Sequence, residues 1–210
     1  ARYVLATGDS GVLDEQVAFL EGRPVPVGED SYYDLPQQSQ ETASLYQHCT
    51  RAILRGLTLL SPRGLPLMGA GDWNDGMNLV GIHGKGESIW LGFFLYDVLL
   101  RFSEVARWQG DLPFVEQCRE QADRLRQNIR EHGWDGAWYR RAYFDDGTPL
   151  GSASNVECQI DSISQSWAVL SGGGDGARTR LAMESLDARL VRWDKGLIQL
   201  LDPPFDTSEL

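Results

Sequence analysis

The chain has 210 residues, with 30 acidic and 19 basic side chains for a formal charge of −11. That charge excludes a nucleic-acid backbone or an anionic membrane as the main partner, because both would repel it. Hydrophobic residues at 42% and charged residues at 23% are ordinary for a globular chain, long enough for one sizeable core, either one domain or part of a larger one.

In chain order, Glu41 to Leu60 has the first helical pattern. Leu45, Tyr46, Cys49, Ile53 and Leu57 recur at helical spacing, and Ser61-Pro62-Arg63-Gly64 ends it. The connection from Ser61 to Gly86 is long and rich in glycine, which marks it as functional. A second helix is expected over Glu87 to Trp108. From Ile89 to Leu100 it is apolar on nearly every side, which predicts burial all round. Asp111 and Pro113 open a third helix, Phe114 to Glu131, whose Val115, Cys118, Ala122, Leu125 and Ile129 form one stripe on a charged surface.

Trp134 to Leu150 changes character. Its Trp138, Tyr139, Tyr143 and Phe144, with the turn dipeptides Asp135-Gly136 and Asp146-Gly147, predict a short β-hairpin inserted between helices. Two further helices, Ile160 to Leu170 and Ala177 to Val191, are split by Gly172-Gly173-Gly174, and Leu197 to Leu201 is too short to assign. The class is therefore mainly α. A helix apolar all round followed by a one-faced helix is the pairing of an (α/α) barrel, with a globin-like or four-helix bundle as the plainer alternative.

Three scattered cysteines, Cys49, Cys118 and Cys158, form neither a disulfide framework nor a zinc site and point to a reducing, cytoplasmic setting. The three histidines lack metal-ligand spacing, so no metal is expected. The opening Ala1 to Gly8 has no initiator Met and no signal-peptide pattern, and the end at Asp202 to Leu210 shows no closing helix. Both suggest a segment of a longer chain. No stretch is long enough to insert directly in a membrane.

Within the long connection runs Gly71-Asp72-Trp73-Asn74-Asp75-Gly76-Met77-Asn78. Two carboxylates three residues apart bracket an indole and an amide. An indole offers a flat face to a sugar ring, Asp and Asn bind hydroxyls, and glycines let the backbone approach a ligand. A carboxyl set against an indole can stay protonated and donate to a leaving oxygen. Calcium-loop, dinucleotide and P-loop patterns all fail on this stretch. A purely structural turn, with the carboxylates capping helices and Trp73 in the core, stands level with the functional reading on spacing alone. Glu157 and Asp161, four apart at the start of a helix, form either a second polar wall or acids favoured by a helix dipole. Arg140 and Arg141, adjacent on a strand, point to opposite faces, so that one can be buried against acids.

That octapeptide resembles the catalytic loop of glycoside hydrolase family 94, the inverting β-glucoside phosphorylases. The resemblance continues through Tyr32-Tyr33-Asp34-Leu35-Pro36, Gly84-Lys85-Gly86-Glu87-Ser88, Trp134-Asp135-Gly136-Ala137-Trp138-Tyr139-Arg140-Arg141, Glu157-Cys158-Gln159-Ile160-Asp161 and Leu200-Leu201-Asp202-Pro203-Pro204-Phe205. It covers nearly the whole chain and is closest to the phosphorylase-like C-terminal regions of cyclic β-1,2-glucan synthases, with β-1,2-oligoglucan phosphorylases next.

The resemblance implies part of an (α/α)6 six-hairpin barrel spanning residues 1–210, with a small inserted β-hairpin. It implies phosphorolysis of a β-glucosidic bond with inversion, with inorganic phosphate as co-substrate and no other cofactor. Asp75 aligns with the general acid and Trp73 with a sugar-contacting residue. Gly71, Asp72 and Asn74 are expected to shape the loop or bind hydroxyls. An Arg/Asp sugar segment would lie before Ala1, and a sugar-binding Glu with the phosphate contacts would lie after Leu210, so the chain alone is expected to lack phosphorolysis. Expected partners are a β-1,2-glucan or β-gluco-oligosaccharide and the rest of a parent chain, with room for anchoring of the parent in a bacterial inner membrane. A homodimer is left open. A non-catalytic glucan-binding module that controls chain length, or an inverting hydrolase, are the alternatives.

Overall fold

Side-chain caps set the starts of all but the first helix in the computed structural model, which describes residues 1–25 and 32–207. α1 (Arg2–Thr7) and a 3-10 turn (Gly11–Asp14) precede an antiparallel ribbon of β1 (Gln16–Glu21) and β2 (Gln37–Ser44). Then comes α2 (Leu45–Leu57). The helix expected from Glu41 therefore starts four residues later. The Ser44 hydroxyl accepts from the Gln47 amide while the Gln47 side chain accepts from the Ser44 amide, a reciprocal cap that stops the helix there. The ribbon was not expected: Gln37–Ser44 is nearly all polar and carries no apolar alternation.

β3 (Glu87–Ser88) leads into α3 (Ile89–Trp108), and a tight turn connects it to α4 (Leu112–His132). Ser88 caps α3 and Asp111 caps α4, with Pro113 in the first turn. The two helices pack against each other more extensively than any other pair. All five residues of the expected α4 stripe are buried, against Phe93, Leu99, Phe102, Val105 and Ala106 of α3. At about 1.5–3 kcal/mol for each large apolar side chain, this interface is the main stabilising block.

α3 is not buried all round. Phe94 is exposed, edge-on to the half-buried Trp167, and Val169 and Leu170, on the helix that carries Trp167, are also exposed. α4 covers one flank of α3 and that helix another, and Phe94, stacked on Trp90, still keeps an exposed face.

β4 (Ala142–Tyr143) and β5 (Pro149–Leu150) form the expected hairpin, and β3 joins it as a third antiparallel strand with Ser88 opposite Ala142. Trp138 and Tyr139 enter the core, where Tyr139 meets Phe93 edge-on at 5.1 Å. β6 (Ile160–Asp161), α5 (Ser162–Leu170) and α6 (Gly176–Leu190) follow. The chain ends in β7 (Val191–Arg192), β8 (Leu197–Ile198) and β9 (Leu201–Asp202), and β9 pairs with β6. The structure is mainly helical with small sheets. Among the described residues there are six helices, fewer than an (α/α)6 barrel requires, and none is long and apolar enough to cross a membrane. Ser208 to Leu210, part of the sequence's expected open end, lie outside the described residues.

Candidate active site

The Gly-rich connection is pinched at its base. The Met68 amide donates to the Gly86 carbonyl at 2.8 Å and the Ser88 amide to the Pro66 carbonyl at 2.9 Å, so residues 69–85 project as one loop. A side chain at Gly86 would place its Cβ 2.3 Å from the Val80 carbonyl oxygen, which only glycine avoids. The Asp145 carboxylate, in the turn between β4 and β5, accepts from the His83, Lys85 and Gly86 amides at 2.7–2.9 Å. Partial burial opposes its ionisation, but the three amides outweigh that and hold its carboxyl below the usual range. Met68, Met77 and Val80 anchor the loop from below, on Ala142, Leu150 and Cys158.

At the tip the two carboxylates have opposite surroundings. The Asp72 side chain is fully buried. Both its oxygens receive the Arg141 guanidinium at 2.6 Å, Oδ2 also accepts from the Ser88 hydroxyl, and Oδ1 from the Asn74 amide. Burial alone would raise its pKa, but Arg141, Ser88 and Asn74 together lower it. Gly71, at φ 132°, makes the bend that delivers Asp72 inward. Asn74 caps the 3-10 turn Asp75–Met77 by accepting from the Gly76 amide. Trp73 is 63% exposed rather than part of the core, and Asp75 is exposed beside it. The Asp75 carboxyl makes no hydrogen bond or ion pair with another described residue.

Arg141 also joins Asp72 to a second predicted residue. Asp161 caps α5, its Oδ1 accepting from the Ile163 and Ser164 amides, while its Oδ2 lies 3.5 Å from Arg141 Nε. All three side chains are fully buried. Burial pushes the Asp161 carboxyl up to about 6, against the pull of Arg141 and the two amides. The folded chain thus holds this proton more tightly than the unfolded chain. The stability it confers is complete below the ordinary value of 3.8 and is lost as pH rises through about 6. Asp161→Asn keeps the cap. The wild-type unfolding free energy should gain on the variant's by on the order of 1–3 kcal/mol between pH 7 and pH 4, and urea titrations at the two pH values test this.

Glu157 is not on a helical face with Asp161, because α5 begins only at Ser162. Its carboxylate instead accepts from the Asp206 and Thr207 amides and the Thr207 hydroxyl, tying down the chain after β9. The structure therefore brings together Gly71, Asp72, Trp73, Asn74 and Asp75, links them through Arg141 to Asp161, and leaves Glu157 apart. The sequence did not single out Ser88 or Asp145. Asp145 had a usable signal in the Asp145-Asp146-Gly147 turn, whereas Ser88 had only its place before an apolar helix. Of the adjacent arginines, Arg141 is the buried one. Arg140 is mostly buried rather than solvated, held by Asp135 and the Tyr143 hydroxyl. Cys158 is fully buried, and burial lifts its thiol to about 12. Among the described residues no three His, Cys, Asp or Glu converge to hold a metal ion. What the loop offers a ligand is an exposed carboxyl two positions from an exposed indole, on a loop tied down by Arg141 and Asp145.

The chain is similar to several known proteins. The family model described as the glycosyl hydrolase 94 superfamily, catalytic domain, matches residues 2–210. A cyclic β-(1,2)-glucan synthase of Rhizobium meliloti is 44% identical over all 210 residues, which cover 7% of that protein. A solabiose phosphorylase of Paenibacillus borealis is 33% identical over 189 residues, covering 90% of this chain and 22% of that protein. In the solved structure of a family 78 rhamnosidase of Bacillus sp. GL1, the fold matches over 74% of this chain and 15% of that one, with a TM-score of 0.55 and 18% identity. The chain thus spans less than a quarter of the length of these relatives.

Proposed function

Because the chain belongs to the glycosyl hydrolase 94 superfamily, we propose that it supplies the general-acid loop of a longer polypeptide that cleaves β-glucosidic bonds by inverting phosphorolysis. The observation that carries this reading is the contrast between the two loop carboxylates. Asp72 is buried and clamped, whereas Asp75, three residues on and two from an exposed indole, is exposed and bonds to no described residue. One holds the loop and the other is available to a ligand.

Asp75 donates its proton to the glycosidic oxygen as the bond to the anomeric carbon breaks. An oxygen of inorganic phosphate attacks that carbon from the opposite face, forming α-glucose 1-phosphate and freeing the shortened saccharide. Since phosphate is itself the nucleophile, no second carboxylate is required at the 6.5–9.5 Å spacing by which an inverting hydrolase activates water. The Trp73 indole supports a sugar ring, and Gly71 and Asn74 shape the rim. A β-1,2-linked glucan is the favoured substrate on the identity to the glucan synthase. The remaining polypeptide would complete an (α/α)6 barrel and contribute the phosphate contacts, so the isolated chain would be inactive. A cytoplasmic site in a membrane-anchored parent fits the same reading.

The deciding experiment offers β-1,2-gluco-oligosaccharides to the full-length polypeptide with and without phosphate. The reading requires α-glucose 1-phosphate, formed only when phosphate is present. Free glucose in phosphate-free buffer would mean a hydrolase, and tight binding with no product under either condition would mean a module that measures glucan length. Because Trp73 is exposed, Trp73→Ala should leave the melting temperature unchanged while raising KM roughly 5-fold, the equivalent of about 1 kcal/mol of stacking. Steady-state kinetics with a thermal melt check both.

A further inference from the structure

Arg141 lies where three elements meet. Its backbone is locked, the carbonyl accepting from the Ile89 amide at the start of α3 and the amide donating to the Leu150 carbonyl of β5. Its guanidinium, fully buried, reaches the Asp72 carboxylate with both terminal nitrogens, the Ser88 hydroxyl with one of them at 3.3 Å, and approaches Asp161 with Nε. Ser88 and Asp161 cap α3 and α5, so Arg141 ties the loop to the N-termini of both helices.

The connection continues toward the exposed acid. The carboxylate held by Arg141 accepts from the Asn74 amide, and the Asn74 side chain accepts from the Gly76 amide, which fixes the turn that begins at Asp75. The loop carries few other anchors at this point, since Trp73, Asp75 and Gly76 are all exposed. A planar fork gripping both carboxylate oxygens fixes direction as well as distance, which a point charge does not.

We propose that Arg141 is a positioning residue, which aims the Asp75 carboxyl through its two-pronged grip on Asp72 and never touches the substrate. The inference rests on the assignment of Asp75 as general acid. Proton donation demands that the donor sit within hydrogen-bond reach of the leaving oxygen, and a displacement of about 1 Å costs on the order of 10²-fold in rate.

Arg141→Lys retains the buried charge and loses the fork, and Asp72→Asn keeps the shape and loses the charge, so the two perturb the grip from opposite ends. In the full-length polypeptide with phosphate, each variant is assayed on a β-1,2-gluco-oligosaccharide and on 2,4-dinitrophenyl β-glucoside, whose leaving group needs no proton. Hydrogen exchange is followed in parallel over residues 68–81, with α4 as the control for global folding. Expected for Arg141→Lys are a kcat lower by roughly 10- to 100-fold on the oligosaccharide, KM within about 3-fold, near-normal turnover of the dinitrophenyl substrate, and faster exchange in 68–81 with α4 unchanged. Equal losses on both substrates, or exchange in 68–81 that stays at the wild-type rate, would overturn the proposal. Asp75→Asn in the same assay separates the two ideas: full turnover of the oligosaccharide by that variant refutes the acid assignment, whereas the absence of a substrate contrast in Arg141→Lys refutes only the positioning.

Discussion

Asp75→Asn in the full-length polypeptide is expected to lower phosphorolysis of an unactivated β-glucoside by about 10²–10⁴-fold, the usual contribution of a general acid. Asn has nearly the same volume and cannot donate a proton from a carboxyl. The position is exposed and its carboxyl bonds to no described residue, so nothing in the fold resists the change. Thermal stability should match the wild type, and substrate binding should change little. The acid-dependent step should fail selectively, so a substrate with an activated leaving group should still turn over. A variant with full activity on the ordinary saccharide would show that another group supplies the proton.

Arg141→Met is the most damaging single change expected for the fold. It strips the shared cation from two carboxylates, Asp72 and Asp161, whose side chains are fully buried. Removing one partner of a buried ion pair costs about 3–5 kcal/mol, because the other charge remains in a medium that cannot solvate it. Two such charges remain here. Chemical denaturation near neutral pH should record a loss of that size. Adding Asp161→Asn to the same variant should recover part of it, since one uncompensated charge is then gone. Acidification should also narrow the gap, as the orphaned carboxyls take up protons. An Arg141→Met protein as stable as the wild type at pH 7 would mean that water already reaches the cluster.

The helices were legible because burial imposes a period. The α4 stripe from Val115 to Ile129 is a one-sided pattern and lies against α3 as expected. For α3 the same reasoning overshot. Apolar character all round specifies that something covers the helix, but not that the cover lies within these residues, and Phe94 is exposed. The β1–β2 ribbon was missed because β2 is nearly all polar and, held by backbone pairing, leaves no hydrophobic trace.

At the loop, the residue types allowed a sugar-binding reading and a structural turn equally, and could not tell the buried carboxyl from the exposed one. That distinction depends on Arg141, 69 positions after Asp72, and so on tertiary contact. The adjacent Arg140 and Arg141 hinted that one would be buried against acids, and only the fold identifies which acids. Placing Glu157 and Asp161 on one helical face failed for a local reason, because the Asp161 cap starts α5 after both of them.

The two restraints on the loop divide it into parts with different evolutionary freedom. Asp145 secures three amides between His83 and Gly86, and Arg141 secures Asp72 near the other end. Changes at these anchor points propagate into strands and helix starts and are therefore costly. Between them, Trp73 and the exposed Leu79 and Ile82 face outward and touch little of the core. Such a layout lets the outward residues be substituted at little cost to the fold, while the anchored frame tolerates few changes.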